Sequence, residues 1–137
     1  MRTPPSGEVL RRDDFCRGYG AFLRQDQLAD GDLAGAYAAS PFLVPSNTPT
    51  GSRTEAMIAA YQLGVDHGDP DPAIRAQIRA ALQYALGQQI GPASDFAVVG
   101  SADGGIPGSA LERTVRIDFV QHTCSAMLRA VETGVVD

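Results

Sequence analysis

The chain has 137 residues and a formal net charge of −5, and these values limit its domain count and its classes of binding partner. The length suits one domain that buries its own core. A pI near 4.8 argues against nucleic-acid binding, because no basic face is available to neutralise phosphates. Aromatic residues make up only 7% of the chain and Trp is absent, so we expect an all-α protein whose helices pack closely around a modest core.

Side chains that several common sites require are missing. All 11 basic residues are arginine, which excludes a Schiff-base lysine and a phosphate-loop lysine. Cys16 and Cys124 have no CxxC neighbour, so a zinc ribbon and a redox motif are excluded. Their apolar neighbours predict reduced, buried thiols in a cytoplasmic protein. We expect no cofactor, no metal and no membrane span, and the N-terminus lacks an apolar signal core.

The sequence predicts a flexible lead-in at residues 1–12, followed by a single helical domain at residues 13–137. A helix is predicted over residues 13–28, with Asp13 or Asp14 at its start and Gly31 beyond its end. Its apolar residues recur at three- and four-residue spacing.

The longest irregular stretch covers residues 40–52 and reads S-P-F-L-V-P-S-N-T-P-T-G-S. Three prolines argue against a regular helix there. We expect an ordered loop, because Phe42, Leu43 and Val44 favour shelter from water. The loop is either a binding loop or a structural plug over one end of a helix bundle.

A helical hairpin follows over residues 52–90. A capping box from Ser52 to Glu55 predicts the start of its first helix. The turn H-G-D-P-D offers Gly68 as a C-cap and Asp71 as the N-cap of the second helix, with Pro72 at the first helical position. We expect His67, in this turn, to be solvated. The second helix is predicted to bury these residues: Ile74, Ile78, Ala81, Leu82 and Ala85.

A glycine-rich stretch covers residues 91–112 and contains one strand-like piece, A-V-V, at residues 97–99. It lacks the Walker spacing and the preceding strand of a dinucleotide fold, so Gly104 and Gly105 are interpreted as turn glycines.

Residues 113–129 read R-T-V-R-I-D-F-V-Q-H-T-C-S-A-M-L-R, and their arginines lead into the closing helix, which is predicted over residues 118–133. Asp118 is the expected N-cap, Gln121 completes a capping box, and Gly134 suits the C-terminal stop. A helical projection puts the polar residues on one stripe. That stripe is Asp118, Gln121, His122, Ser125, Arg129 and Glu132. The opposite side carries Val120, Cys124, Met127 and Val131.

Two interpretations of this helix remain open. It is either an ordinary amphipathic helix whose polar stripe faces water, or its N-terminus holds an anion among Arg116, Asp118, Gln121 and His122 and keeps the histidine neutral. We expect Asp118 to pair with Arg116 or Arg53 beside a desolvated cavity.

Four segments resemble the C-terminal part of bacterial α/α-toroid proteins, which are related in fold to prenyltransferases, terpene cyclases and glycan-processing helical barrels. They are V-P-S-N-T-P-T-G-S-R-T-E-A, the hairpin ending in L-G-Q-Q-I, the G-G loop, and R-x-x-R-I-D-F-V-Q-H. The resemblance covers most of the chain from Tyr19 onward. It implies a partial toroid in which residues at helix N-termini line the mouth of a cavity, namely Arg53, Glu55, Arg116, Asp118 and His122.

The chain departs from that family in two ways. It lacks the Gln-Trp repeats, the D-x-D-D motif and the zinc ligands that mark the cyclases and protein prenyltransferases, so those activities are not carried over. It also holds too few helices for a closed toroid, and so resembles a fragment or a reduced form.

Two functions follow as hypotheses. In the first, the chain acts on a saccharide or another polar substrate, with Glu55, Asp118 and His122 as catalytic residues. Binding would then fall to Arg53, Arg116 and Gln121. In the second, the chain is a non-catalytic helical module that completes or caps a partner protein or a homo-oligomer.

Overall fold

The computed structural model describes residues 4–40, 42–91, 103–112 and 114–136. Over these ranges the fold is all-α, with four helices: α1 Gly7–Arg24, α2 Asn47–His67, α3 Pro72–Gln88 and α4 Ile117–Glu132. Extended pairing in the described residues is limited to isolated bridges, such as that between Gln27 and Tyr37. The all-α prediction is confirmed. The strand-like piece at residues 97–99 lies outside the described residues.

Helix α1 begins six residues before the predicted start. The Ser6 hydroxyl accepts a hydrogen bond from the Val9 amide at 3.3 Å, and Glu8 in the first turn favours the helix dipole. Residues 7–12, predicted as part of the lead-in, are therefore helical, and the helix ends at Arg24 rather than near residue 28. The serine cap was the signal that the prediction overlooked.

Helix α2 also begins earlier than predicted, at Asn47. The predicted capping box at Ser52 and Glu55 is wrong, because both residues lie inside the helix. Pro49 is tolerated since it falls in the first turn, where backbone N–H groups have no partner within the helix. The loop before α2 is correspondingly shorter, and its apolar triplet is not sheltered: Phe42 is 92% exposed.

The chain is anchored at the start of α2 by a polar side chain. Asn47 is buried, and its side-chain amide donates to the Pro107 carbonyl at 2.7 Å while its carbonyl oxygen accepts from the Tyr84 hydroxyl at 2.6 Å. Its backbone N–H donates to the Gly108 carbonyl at 2.8 Å. Because these groups are all satisfied, one asparagine joins α2, α3 and the segment before α4.

Helices α2 and α3 form the predicted hairpin. Gly68 adopts a left-handed conformation with φ 87°, and the Asp71 carboxylate accepts from the amides of Ala73 and Ile74. Pro72 is the first residue of α3, and all five residues predicted to be buried in α3 are buried. The prediction for His67 is wrong: its side chain is only 7% exposed, because α1 covers the turn.

Helix α2 lies at the centre of the molecule and packs against the other three helices, so the hairpin contacts both terminal helices. The core joins residues from every helix and from the segments between them. Its largest members are Leu23, Tyr37, Met57, Ile58, Tyr61, Ile74, Ile78 and Leu82. No helix among the described residues is long and apolar enough to cross a bilayer.

Helices α2 and α4 run parallel. Gly51, near the start of α2, lies against His122 and Thr123, near the start of α4. Farther along both helices, Gln62 and Arg129 line the same groove. The N-termini of these two helices therefore lie at one end of the molecule.

Helix α4 begins at Ile117, and Arg116 rather than Asp118 is its N-cap residue. Gly134, with φ 67°, follows its end as predicted. The buried residues of α4 are Phe119, Thr123, Ala126 and Ala130. The predicted apolar side is thus turned largely outward, because small side chains let α4 approach α2 closely.

The two thiols differ in exposure. Both cysteines are free; Cys16 is half-buried and Cys124 is exposed. Burial, followed by the nearby Asp13 carboxylate, raises the pKa of Cys16. The expected burial of Cys124 is wrong.

Candidate functional site

The parallel packing of α2 and α4 brings together two of the predicted site residues. His122 Nδ1 lies 2.7 Å from Glu55 Oε2, and both side chains are partly buried. When His122 donates its Nδ1 proton to Glu55, its Nε2 is left as an acceptor. That arrangement orients a histidine as a general base.

Two further α4 residues act on the same carboxylate. Partial burial raises the pKa of Glu55, but hydrogen bonds from Ser125 and His122, with the nearby charge of Arg129, outweigh it, and the net pKa is lowered. Glu55 is therefore held as an anion. Ser125 was not predicted as a site residue, although its place on the polar stripe, three residues after His122, was visible in the sequence.

Asp118 and Arg116 pair with each other and face solvent. The Arg116 Nε and Asp118 Oδ1 atoms are 3.1 Å apart, and the two side chains are 61% and 41% exposed. The predicted pairing is present, but the expected desolvated surroundings are not. An exposed pair contributes about 0 to 1 kcal/mol, so we expect Asp118→Asn to be well tolerated.

The two remaining predicted binding residues are Arg53 and Gln121. The Arg53 guanidinium lies over the Tyr37 ring, 5.5 Å from its centroid. Gln121 is exposed on the outer side of α4.

Two grooves, both lined by described residues, lie away from the Glu55 and His122 pair. A groove of about 580 Å³ follows the C-terminal halves of α2 and α4, past Ile58, Gln62 and Arg129. Another, of about 600 Å³, lies between α3 and residues 24–35. Neither is lined by Glu55, Asp118 or His122. In the part of the chain that the structure describes, no three His, Cys, Asp or Glu side chains converge as metal ligands.

A second polar cluster joins α1 to the hairpin turn. Arg17 Nε donates to Asp13 Oδ2 at 2.6 Å, and His67 Nε2 lies 3.5 Å from the same oxygen. Arg17 also contacts Asp69 in the turn. The pKa of Arg17 is raised, chiefly by its hydrogen bond to Asp13. Because Asp13 and His67 are buried and the cluster links two elements, its role is to hold α1 against the turn.

Helix α1 leaves its largest side chains uncovered. Phe15 and Phe22 are 74% and 60% exposed, and Tyr19 between them stacks on both, with ring centroids 6.4 Å apart in each pair. The residues that α1 buries are Asp13, Gly20 and Leu23. We call the three stacked rings the aromatic ladder.

Helix α4 also leaves large apolar side chains exposed, although it buries Phe119. Ile117, Leu128 and Val131 are 84%, 67% and 69% exposed, while Ala126 and Ala130 are fully buried. We define the outer face of α4 as the apolar stripe of Ile117, Val120, Cys124, Leu128 and Val131, which runs beside the exposed Gln121.

Comparison with known proteins yields no match to a protein-family model, to a curated protein or to a solved structure.

Proposed function

We propose that this chain is a non-catalytic helical interaction module whose terminal helices bind other protein surfaces. One observation carries the proposal: although α1 buries Leu23 and α4 buries Phe119, both helices leave several large apolar side chains exposed. Burying one large apolar side chain stabilises a protein by roughly 1.5 to 3 kcal/mol. Helices α1 and α4 leave such side chains unburied within the chain, so their exposed surfaces are suited to binding a partner.

The aromatic ladder on α1 has the composition of a binding surface. Aromatic rings contribute large contact areas and are enriched in the energetically dominant parts of interfaces. Beside Phe15 runs a groove of about 510 Å³ between α1 and α2, which also includes Ala59 and Leu63. A partner helix of apolar character would cover the ladder and this groove together.

The test places a charge in the ladder. In extracts of cells that encode the chain, we expect the wild type to elute in a complex larger than 14.4 kDa and Phe22→Glu to elute at a smaller mass than the wild type, because α4 can still bind. Ala76→Glu adds the same charge at an exposed position of α3 and should leave the complex intact. Elution of the wild type as a free monomer, or an equal effect of both variants, would overturn the proposal.

A second candidate follows from the 2.7 Å contact between Glu55 and His122. Here the chain would be a reduced α/α-toroid protein that acts on a saccharide or another polar substrate, with His122 as general base and Glu55 orienting it. Two features make this candidate weaker: Asp118 faces solvent, and the grooves found among the described residues do not include the pair.

Titration with neutral and acidic oligosaccharides, followed by amide shifts in NMR spectra, tests this second candidate. We expect shifts around residues 55 and 122 that Glu55→Gln reduces. Spectra that stay unchanged at millimolar oligosaccharide would remove it.

A further inference from the structure

The outer face of α4 has a spacing that is symmetric about its central residue. Ile117 and Val131 each lie seven residues from Cys124, and Val120 and Leu128 each lie four residues from it. Residues seven apart return to nearly the same side of a helix, so the set forms one stripe. A stripe that is symmetric about its centre is complementary to itself when two copies run in opposite directions.

We propose that α4 pairs antiparallel with α4 of a second copy of this chain, with Cys124 on the two-fold axis. Ile117 then meets Val131 of the second copy, and Val120 meets its Leu128. Each of these two contacts occurs twice and the contact between the two Cys124 residues occurs once, so five layers follow one another along the pair. The inference rests on the proposed function, because it names the partner of one of the two uncovered helices.

The helix dipoles favour the antiparallel orientation of the two helices. Each end of α4 carries one charge of each sign, with Arg116 and Asp118 at the N-terminal end and Arg129 and Glu132 at the C-terminal end. These side-chain charges therefore favour neither orientation. A parallel pair would align the two helix dipoles, whereas the antiparallel pair opposes them.

The size of the face sets the strength of association. Helix α4 has 16 residues and is about 24 Å long. A contact one helix wide is smaller than the roughly 800 Å² per partner of a typical stable interface. We therefore expect a reversible dimer whose population depends on protein concentration.

Disulfide formation between the two Cys124 thiols can be used to detect the proposed pair. Packed helices have axes about 8 to 10 Å apart, and their Cα atoms lie about 2.3 Å from each axis, so facing Cα atoms on the two-fold axis approach to about 3.4 to 5.4 Å. The upper half of this range overlaps the roughly 4.4 to 6.8 Å spacing of disulfide-bonded Cα atoms. A mild thiol oxidant, which takes up two electrons and two protons, would join the two thiols as one disulfide.

The first experiment is sedimentation equilibrium of the purified chain under reducing conditions. The apparent mass should rise with concentration from 14.4 kDa towards twice that value. Leu128→Glu should remain monomeric at all concentrations, and Ala76→Glu should behave like the wild type. Monomeric wild type throughout the range would overturn the second copy as partner.

The second experiment is mild oxidation of the same proteins. A covalent dimer should form in the wild type and in Cys16→Ser, but not in Cys124→Ser. Leu128→Glu keeps Cys124 exposed and should form the dimer at least tenfold more slowly, which excludes random collision as the cause. Equal rates in Leu128→Glu and wild type would contradict the proposed contact.

Orientation is tested in a chain that carries both Cys16→Ser and Cys124→Ser. Ile117→Cys and Val131→Cys proteins should cross-link when mixed, and neither should cross-link alone. Cross-linking of Ile117→Cys with itself would indicate a parallel pair and overturn the proposed antiparallel contact. Failure of these experiments leaves the test at Phe22 untouched, because that test probes α1 in extracts.

Discussion

At the residue scale, two buried tyrosines form hydrogen bonds that join separate parts of the chain: Tyr37, in the segment before α2, bonds to α3, and Tyr84 of α3 bonds to the start of α2. Gln77 donates to the Tyr37 hydroxyl at 2.7 Å, and the Tyr84 hydroxyl donates to Asn47 at 2.6 Å. Burial raises the pKa of Tyr84 to about 12. Burial likewise raises the pKa of Tyr37 to about 12, against the lowering effect of its bond to Gln77 and of nearby arginines.

These pKa values predict alkaline destabilisation. A tyrosine whose pKa is raised in the folded state contributes stability that is complete below the unfolded pKa of about 10. Above that pH the unfolded chain loses the proton first, so the free energy of unfolding falls as pH rises towards about 12. Tyr84→Phe should make this decline shallower. It should also cost about 1 to 3 kcal/mol at neutral pH, since Asn47 loses a donor.

Urea denaturation between about pH 7 and pH 11 measures both effects. Tyr19→Phe, at a partly exposed ring of α1, is the matched control and should leave neutral stability unchanged. An equally steep alkaline decline in Tyr84→Phe and wild type would show that the buried Tyr84 hydroxyl does not contribute to it.

At the element scale, the close approach of α2 and α4 depends on Gly51. A Cβ atom there would lie 3.0 Å from His122 Cβ and 3.1 Å from the Thr123 amide nitrogen. Because one of these neighbours is backbone, α4 would have to shift, and such overpacking costs about 1 to 3 kcal/mol. The helix propensity of alanine returns at most about 1 kcal/mol. We therefore expect Gly51→Ala to lower stability and to weaken the contact between Glu55 and His122.

Gly18→Ala is the control for that variant. Gly18 lies within α1, and a Cβ atom added there would meet nothing within 4 Å, so alanine should stabilise the protein by about 0.5 to 1 kcal/mol. Thermal melts of the two variants should shift in opposite directions. Shifts in the same direction would mean that the α2 to α4 distance is not limited at Gly51.

Local signals predicted some elements well and others poorly. Helix α3 was predicted correctly because Gly68, Asp71 and Pro72 act on their immediate neighbours. The start of α2 was missed, since Pro49 was interpreted as a helix breaker although the first turn tolerates it. Its actual start depends on Asn47, whose partners Tyr84 and Pro107 are distant in sequence.

At the scale of the whole molecule, a central α2 surrounded by three helices forms a core rich in alanine and medium-sized side chains. Two apolar surfaces remain outside this core, the aromatic ladder on α1 and the outer face of α4. The molecule thus separates the residues that stabilise its own fold from those available to partners. This separation supports an interaction module better than the solvent-facing Asp118 supports a catalytic centre.

The sequence by itself determined the helical class, the hairpin and the polar stripe of α4, because helix periodicity and capping act over a few residues. Only the tertiary structure decided which side of α4 faces inward. The periodicity of α4 distinguishes a polar side from an apolar side but does not determine which side packs against α2. Gly51 on α2 lets α4 approach closely at His122 and Thr123. That choice paired His122 with Glu55, left Asp118 facing solvent and turned Cys124 outward.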